Sequence, residues 1–328
     1  MLATSAPVAP PALDPSRLSP WRLLGTPVDQ CATAHQALRH AGLAGWNIRK
    51  LPLSGSEITD HGVDVIDAPD QVMLVRTDPR TGRTHYLSTV GSGYRIWQNE
   101  DQADVLDALC GQAKATGFTD AGSLNGGRTT FVTMRLPDGV RVVGDDHIDL
   151  YLVAFNTHDG SGAFRVCLVP FRVSCANQLR VAIAHAVSQV ALRHTRRAHL
   201  DIAEIRHKLG LMDDYAGALD HHVHHLVAAR MTTPQFEQLV NELWPVTEPL
   251  SARARANHDR RTDHLLRLWS HAPTQESVRG SRFAAWMAVT EYLDHHAPAT
   301  APQIRARRVL TSAPVTHLKQ HAFDLLTT

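Results

Sequence analysis

The sequence predicts an α+β protein: a mostly antiparallel sheet with packed helices, followed by a helical C-terminal part. Between residues 46 and 175, seven or eight short strand-like segments are joined by tight-turn chemistry, which favours antiparallel pairing over βαβ repeats. After about residue 195 the strand signal fades and apolar residues recur every three or four positions. The stretch Val142 to Arg193 joins these two regimes and reads as strand, turn, strand, helix. This organisation divides the chain into an Ala/Pro-rich tail (1–20), an α+β core domain (21–199) and a helical C-terminal region packed on the core (200–328).

The tail holds Pro7, Pro10, Pro11, Pro15 and Pro20 and reads as disordered. Asp29 is placed to cap a short helix to about Ala41, burying Ala34, Ala37, Leu38 and Ala41 and ending at Gly42. Trp46 to Leu51 alternates like a strand, and Ser54 to Asp60 reads as a polar loop. Further strands are expected at Gln71 to Arg76, Tyr86 to Val90 and Tyr94 to Gln98, the first two joined by Asp78-Pro79-Arg80-Thr81-Gly82. A helix follows from Asn99 or Asp101 to about Ala115, with Val105, Leu106 and Leu109 inward. Thr119 to Gly127 reads as a loop, then Arg128 to Leu136 and Val140 to Val143 as strands.

Ile148 to Phe155 is almost continuously apolar, as expected of a strand covered on both faces. Asp159-Gly160 supplies a hairpin turn, and Ala163 to Ser174 returns, with Pro170 marking a bulge or an edge. Asn177 is expected to cap a helix to Arg193, with Leu179, Ile183, Ala186, Val187 and Val190 as its apolar stripe. From Ile205 to Leu226 a heptad seam predicts a long packed helix, in a helical hairpin or at a subunit contact. Thr233-Pro234 starts another helix, and helical segments are expected near 256–270, 281–296 and 315–326.

The 328 residues include 33 Lys and Arg against 32 Asp and Glu, so no global basic field points to nucleic acid. The 21 histidines make the charge sensitive to pH below about 7. Cys31, Cys110, Cys167 and Cys175 form no CxxC pair, which fits a reducing, cytoplasmic setting. Neither a signal-peptide pattern nor an 18-residue apolar run is present, so no membrane partner is expected.

Several clusters carry possible chemistry. Gly122, Ser123, Gly126 and Gly127, ending in Arg128, could form an anion-binding loop or a plain structural one; no Walker pattern follows. Arg172 and Arg180 flank the expected helix start, as phosphate contacts or as ordinary solvated charges. Arg193, Arg196 and Arg197 lie in the densest basic stretch. Tyr94 is a candidate for stacking on bases, although aromatics in strands more often serve a core. Asp145, Asp146, His147 and Asp149 lie at one end of the central strand and His158 and Asp159 at the other, too far apart for one hairpin site. His221 and His225 share a helical face and are weak metal candidates, without the glutamate of an HExxH motif or a third ligand.

A set of short motifs occurs in a definite order: Trp21-Arg22-x-Leu24-Gly25, Val90-Gly91-x-x-Tyr94 with Gln98-Asn99, Ala121-Gly122-Ser123-Leu124 with Gly126-Gly127-Arg128, and Asn156-x-x-Asp159-Gly160-Ser161. Arg172-Val173-x-Cys175-x-Asn177-x-Leu179, Arg193-His194-Thr195 and Ala288-Val289-Thr290-Glu291-Tyr292-x-Asp294-His295 follow. In these the chain resembles phage/plasmid-like proteins carrying a domain of unknown function (family 932), over about residues 21–326. The resemblance implies a mobile-element context, no defined reaction and no agreed catalytic residues; no cofactor is expected. The functional expectation is a non-catalytic nucleic-acid-binding protein, favouring single-stranded DNA and serving annealing, recombination or replication as a homo-oligomer. Arg128, Arg172, Arg180, Arg193, Arg196, Arg197 and Tyr94 would form its contacts. The alternatives are a metal-dependent hydrolase and a structural or host-interaction protein.

Overall fold

An antiparallel sheet of eight strands carries the first half of the chain, and helices cover both its faces. The structure is a computed structural model and describes residues 19–110, 117–179, 189–192, 202–246, 249 and 251–328. In chain order the first elements are α1 (Pro20–Leu24), β1 (Gly25–Pro27), α2 (Ala34–His40), β2 (Arg49–Thr59), β3 (Gly62–Thr77), β4 (Thr84–Gly91) and α3 (Asn99–Cys110). Next come β5 (Gly117–Leu124), β6 (Thr129–Arg135), β7 (Val140–Val143), β8 (Asp146–Thr157), β9 (Phe164–Arg172), β10 (Asn177–Gln178) and β11 (Gln189–Leu192). The helical part is α4 (Ile202–Ala228), α5 (Thr233–Leu243), α6 (Ala252–His271), α7 (Arg282–Glu291), α8 (Pro302–Thr311) and α9 (Ala313–Thr327). The large sheet runs β1-β5-β6-β8-β9-β10, with β11 also on β9 and β7 also on β8. A second sheet, β2-β3-β4, has three strands. The α+β expectation holds.

β8 sits between β6 and β9 and is buried on both faces, as its apolar run predicts. Ile148, Leu150, Leu152 and Ala154 point to the main core with Val132, Met134, Val166 and Leu168. Val153 and Phe155 face the other way with Phe131, Cys167 and Val169, beneath Trp21 of α1 and Leu310 of α8. The β8–β9 turn contains Gly160 at φ 73°, and Asp159 Oδ1 accepts from the Ser161 backbone N–H at 2.9 Å. Pro170 falls on the outer side of β9, between the stretches paired with β11 and β10. A residue without an N–H is tolerated there.

Five expectations need correction. Tyr94 to Gln98 is no strand; it links β4 to α3, and side chains meet its backbone, with the Asn156 amide donating to Trp97 O and Gln98 O. The helix from Asn177 to Arg193 does not form at either described end. Asn177 and Gln178 pair with Arg172 and Phe171, and Gln189–Leu192 pairs with Cys167–Phe164, so the open edge of β9 recruits both segments as strands. Thr119 to Leu124 belongs to strand β5 and is not a loop; its glycine permits close approach, since a Cβ on Gly122 would lie 2.8 Å from Gly25 Cα and from the Phe131 ring. Ser54–Thr59 continues β2, where a loop was expected. Helix α2 is capped by Thr33, whose side chain accepts from the Gln36 N–H, while Asp29 pairs instead with Arg22. Its buried Ala34, Ala37 and Leu38 and its end at Gly42 are as expected.

The seam of α4 turns inward. Its members Leu219, Val223 and Leu226 are fully buried in the main core beside Tyr215, and Ala216 packs half-buried against it, which assigns this part of the seam to the chain's own packing and not to a subunit contact. Helix α5 starts one residue earlier than expected: Thr232 is its cap and Gln235 Oε1 accepts from the Thr232 N–H at 2.8 Å. Helix α7 is buried from Phe283 to Glu291 and forms the centre of the helical part. Helix α8 has no counterpart in the sequence reading; it buries Ala306, Val309 and Leu310.

Candidate nucleic-acid interface

Three turns meet at one end of the large sheet. The β5–β6 turn, Asn125-Gly126-Gly127, has positive φ at all three residues. A Cβ on Gly127 would lie 3.2 Å from Arg76 Nε and from the Trp46 ring, so a glycine allows Arg76 of β3 to close over this turn. The Arg76 guanidinium stacks 4.1 Å above Trp46, and its buried Nε has no hydrogen-bond partner among the described residues. Arg128, exposed at the start of β6, donates from Nε to Leu87 O at 2.8 Å. The β8–β9 turn joins them, because the His158 N–H donates to Arg128 O and Ser88 Oγ donates to His158 O.

Beneath these turns lies a buried polar network. Asn99 Oδ1 is 3.0 Å from His158 Nε2 and accepts from Thr130 Oγ1 at 3.2 Å, while Thr130 is also 3.0 Å from Gln102 Oε1. Tyr94 donates its hydroxyl to Thr157 O at 2.9 Å, and burial holds its ionisation well above the usual tyrosine range. Tyr94 therefore packs and braces the turn, and its hydroxyl is engaged within the chain.

On the side of the sheet facing α8 and α9, a cleft of ≈ 790 Å³ opens. Asn125 and Thr129, on either side of Arg128, form part of its rim; Phe155, Arg165 and Cys167 line its sheet wall, and Thr311, Thr316 and His317 its helix wall. Among the described residues lining it, Arg165 is the only side chain charged at neutral pH, and carboxylates are absent. The Arg165 guanidinium lies 5.4 Å from the Phe155 ring centroid, and its buried Nε has no hydrogen-bond partner among the described residues. The first turn of α9, with Ala313 on the cleft, carries no side-chain cap, so the positive end of its dipole adds to the field of Arg165. A cation without a counter-charge in a concave site favours an anion.

The predicted contacts separate. Gly126, Gly127 and Arg128 come together in one turn whose neighbours Asn125 and Thr129 line the cleft, while Arg128 itself reaches to Leu87 O; Gly122 is a packing position within β5, and Ser123 lies on the same strand with its side chain exposed. Arg172 is 0% exposed and so is not available to an external phosphate. It pairs with Asp146 and donates to Gln275 Oε1 at 3.2 Å, beneath the Phe283 ring. Arg180, Arg193, Arg196 and Arg197 lie outside the described residues. His221 and His225 are exposed on α4, and no group of three His, Cys, Asp or Glu side chains among the described residues could hold a metal ion. Arg165 escaped the sequence reading. Its signal was a lone cation within the apolar run Phe164 to Val169, where a charged side chain needs a reason.

Arg172 opens a second polar network, which joins the sheet to the helical part. Asp146 also accepts from Ser277 Oγ at 2.8 Å and Ser174 Oγ at 3.2 Å. Burial would raise its pKa, but these hydrogen bonds and the Arg172 charge hold it below the usual carboxylate value. Gln275 bridges from Arg172 to Glu291 Oε2, and Gln178 N–H donates to Asp294 Oδ2 at 2.9 Å. Lys319 of α9 pairs with Asp294 at 2.5 Å and donates to Gln178 O at 2.7 Å. Burial pushes the Cys175 thiol up to about 12, which favours its neutral form.

The motifs on which the resemblance rests divide largely between these two networks. The family described as Domain of unknown function (DUF932) matches residues 86–314. The chain belongs to this family. The DUF932 span runs from β4 into α9, so it includes the β5–β6 turn, Arg165 and most of both networks, and omits the β2–β3 hairpin. It is narrower than the 21–326 of the resemblance. No curated protein and no solved structure gives a significant match.

A separate cavity of ≈ 380 Å³ contains Asp120, Asp149, Arg135 and Tyr151. Arg22 Nε sits 2.9 Å from Asp120 Oδ1, and Arg135 donates to Asp149 Oδ1 at 2.8 Å. Burial lifts the Asp120 pKa from 3.8 to about 6, against the pull of Arg22. The folded state thus binds a proton that the unfolded state releases between about pH 4 and 6. Stability from this group is full at the acid end of that window and is lost as pH rises through 6. Asp120→Asn is expected to flatten that part of the stability profile relative to the native chain, and carbon-13 NMR should place the Asp120 carboxyl midpoint near 6. A midpoint near 4 would contradict the assignment.

Proposed function

We propose that this DUF932 protein binds single-stranded nucleic acid without catalysis, leading the strand over Arg128 into the cleft at Arg165. The observation that carries the reading is Arg165 in a cleft whose described lining holds no carboxylate. A phosphate would meet the guanidinium and the α9 terminus. The volume falls within the roughly 300–1,000 Å³ of nucleotide-sized ligand sites, so the strand that enters should be single. A near-neutral chain can still bind this way, because the field that counts is local. A role in annealing or replication on a mobile element, with single-stranded DNA as the partner, is the concrete form of this proposal.

Fluorescence anisotropy with an oligonucleotide of about 20 residues, longer than the roughly 4–16 nucleotides covered by single-strand binding folds, tests it. Binding is expected at low salt, weakening steeply as salt rises, and weaker for a duplex of the same sequence. Arg165→Ala should lower affinity by about tenfold, the effect of about 1.4 kcal/mol. Absence of binding at low salt would end the reading. The metal-hydrolase alternative is weaker, since His221 and His225 gain no third ligand among the described residues.

A further inference from the structure

The β2–β3 hairpin leaves the body of the protein. Strand β4 pairs with β3 only from Gln71 to Thr77. Between Pro52↔Val72 and Ser54↔Asp67 the register shifts, so that the single Leu53 stands opposite Ala68-Pro69-Asp70-Gln71. Beyond this irregularity, Ser54–Thr59 and Gly62–Asp67 pair only with each other, as a two-stranded arm of roughly 20 Å at about 3.3 Å per residue.

Strand alternation gives the arm two unlike faces. The pairs Ile58↔Val63, Ser56↔Val65 and Ser54↔Asp67 share one face, so a carboxylate borders an apolar strip in which Ile58, Val63 and Val65 are 87%, 64% and 66% exposed. The pair Glu57↔Asp64 lies on the other, beside Ile66 at 59% exposed; two like charges directly opposite each other destabilise an isolated ribbon. From Leu51 to Val75 the chain holds Glu57, Asp60, Asp64, Asp67 and Asp70 and no Lys or Arg. Packing two arms against one another would set these carboxylates in mutual repulsion. Relief has to come from a basic surface that also offers apolar contact.

The same chain carries one. Helix α6 has Arg253, Arg255, Arg260, Arg261 and Arg267 against Asp259 and Asp263, and its first buried side chain is Leu265. Its N-terminal half therefore stands largely exposed. Arg253, Ala256 and Arg260 fall three and four apart, so two cations flank a small apolar step on one helical stripe. Arginine stems add apolar surface beside it.

We propose that the acidic, apolar-faced arm of one copy docks on the basic N-terminal half of α6 in a second copy, giving a head-to-tail assembly. Such a contact uses two different surfaces, so it leaves one arm and one helix free at the ends and grows into a ring or a filament. It is independent of the cleft and does not rest on nucleic-acid binding.

Sedimentation velocity on the full chain, at low salt and again at about 1 M, where screening acts within about 3 Å, tests the proposal. The native protein should form oligomers that shrink with salt. The triple variant I58S/V63S/V65S should be monomeric with an unchanged circular dichroism spectrum, since these side chains support no core. The variants D60K/D67K, at the tip and on the apolar face, and R253E/R260E should each be monomeric alone, and their equimolar mixture should assemble again, because each reversed surface now meets a complement. A native chain that is monomeric throughout overturns the proposal. So does assembly that survives the triple variant, or a mixture that stays monomeric.

Discussion

Arg172→Ala is expected to destabilise the fold by about 3–5 kcal/mol, the range for removing one partner of a buried ion pair. The guanidinium has no exposed surface, and its loss leaves Asp146 and the Gln275 amide facing a cavity. Because Arg172 is on β9 while Gln275 and Ser277 lie between α6 and α7, the damage falls on the junction between sheet and helices. Arg172→Lys should recover only part of the loss, since an ammonium cannot present the planar fork that meets Asp146 and Gln275 together. Equilibrium denaturation with urea measures both. A cost under about 1 kcal/mol, typical of an exposed pair, would contradict the buried network.

Lys319→Met is expected to cost a similar amount, about 3–5 kcal/mol, because Asp294 would stay buried with its charge uncompensated. Methionine fills much of the lysine stem's volume, so the penalty is mainly electrostatic. The double variant D294N/K319M should therefore be more stable than Lys319→Met alone. An asparagine can still accept from the Gln178 N–H, and no charge remains to be buried. A double variant no more stable than the single one would show that the pair is not the source of the cost.

Local patterns in the sequence foretold the central strand β8, the Asp159-Gly160 turn, the buried side of α2 and the inward seam of α4. Each is decided by neighbours a few residues away. The misreadings share a different cause. Asn177 has the chemistry of a helix cap, yet its side chain lies against Thr290 and Met287 of α7, more than a hundred residues on. Spacings of three and four around Val190 suggested a helix, but the unpaired edge of β9 imposes strand geometry on Gln189–Leu192. Gly122 and Ser123 looked like loop residues because nothing local shows that β1 presses against β5. Ser54–Thr59 lacks the burial that makes strand alternation readable, as no described residue covers its apolar face. The candidate site was legible at Arg128 and the adjoining glycines. Arg165 was not, because its isolation from carboxylates depends on α8 and α9 closing the cleft.

The central claim is that Arg128 and Arg165 contact the phosphates of a single strand. The dependence of its binding constant on salt tests this most directly, in the native chain and in the double variant R128A/R165A. For single strands each phosphate neutralised contributes about 0.7 to the slope of log affinity against log salt. The account predicts a slope shallower by about 1.4 in the double variant, with weaker binding at every salt concentration. A native slope and affinity retained without both arginines would contradict it.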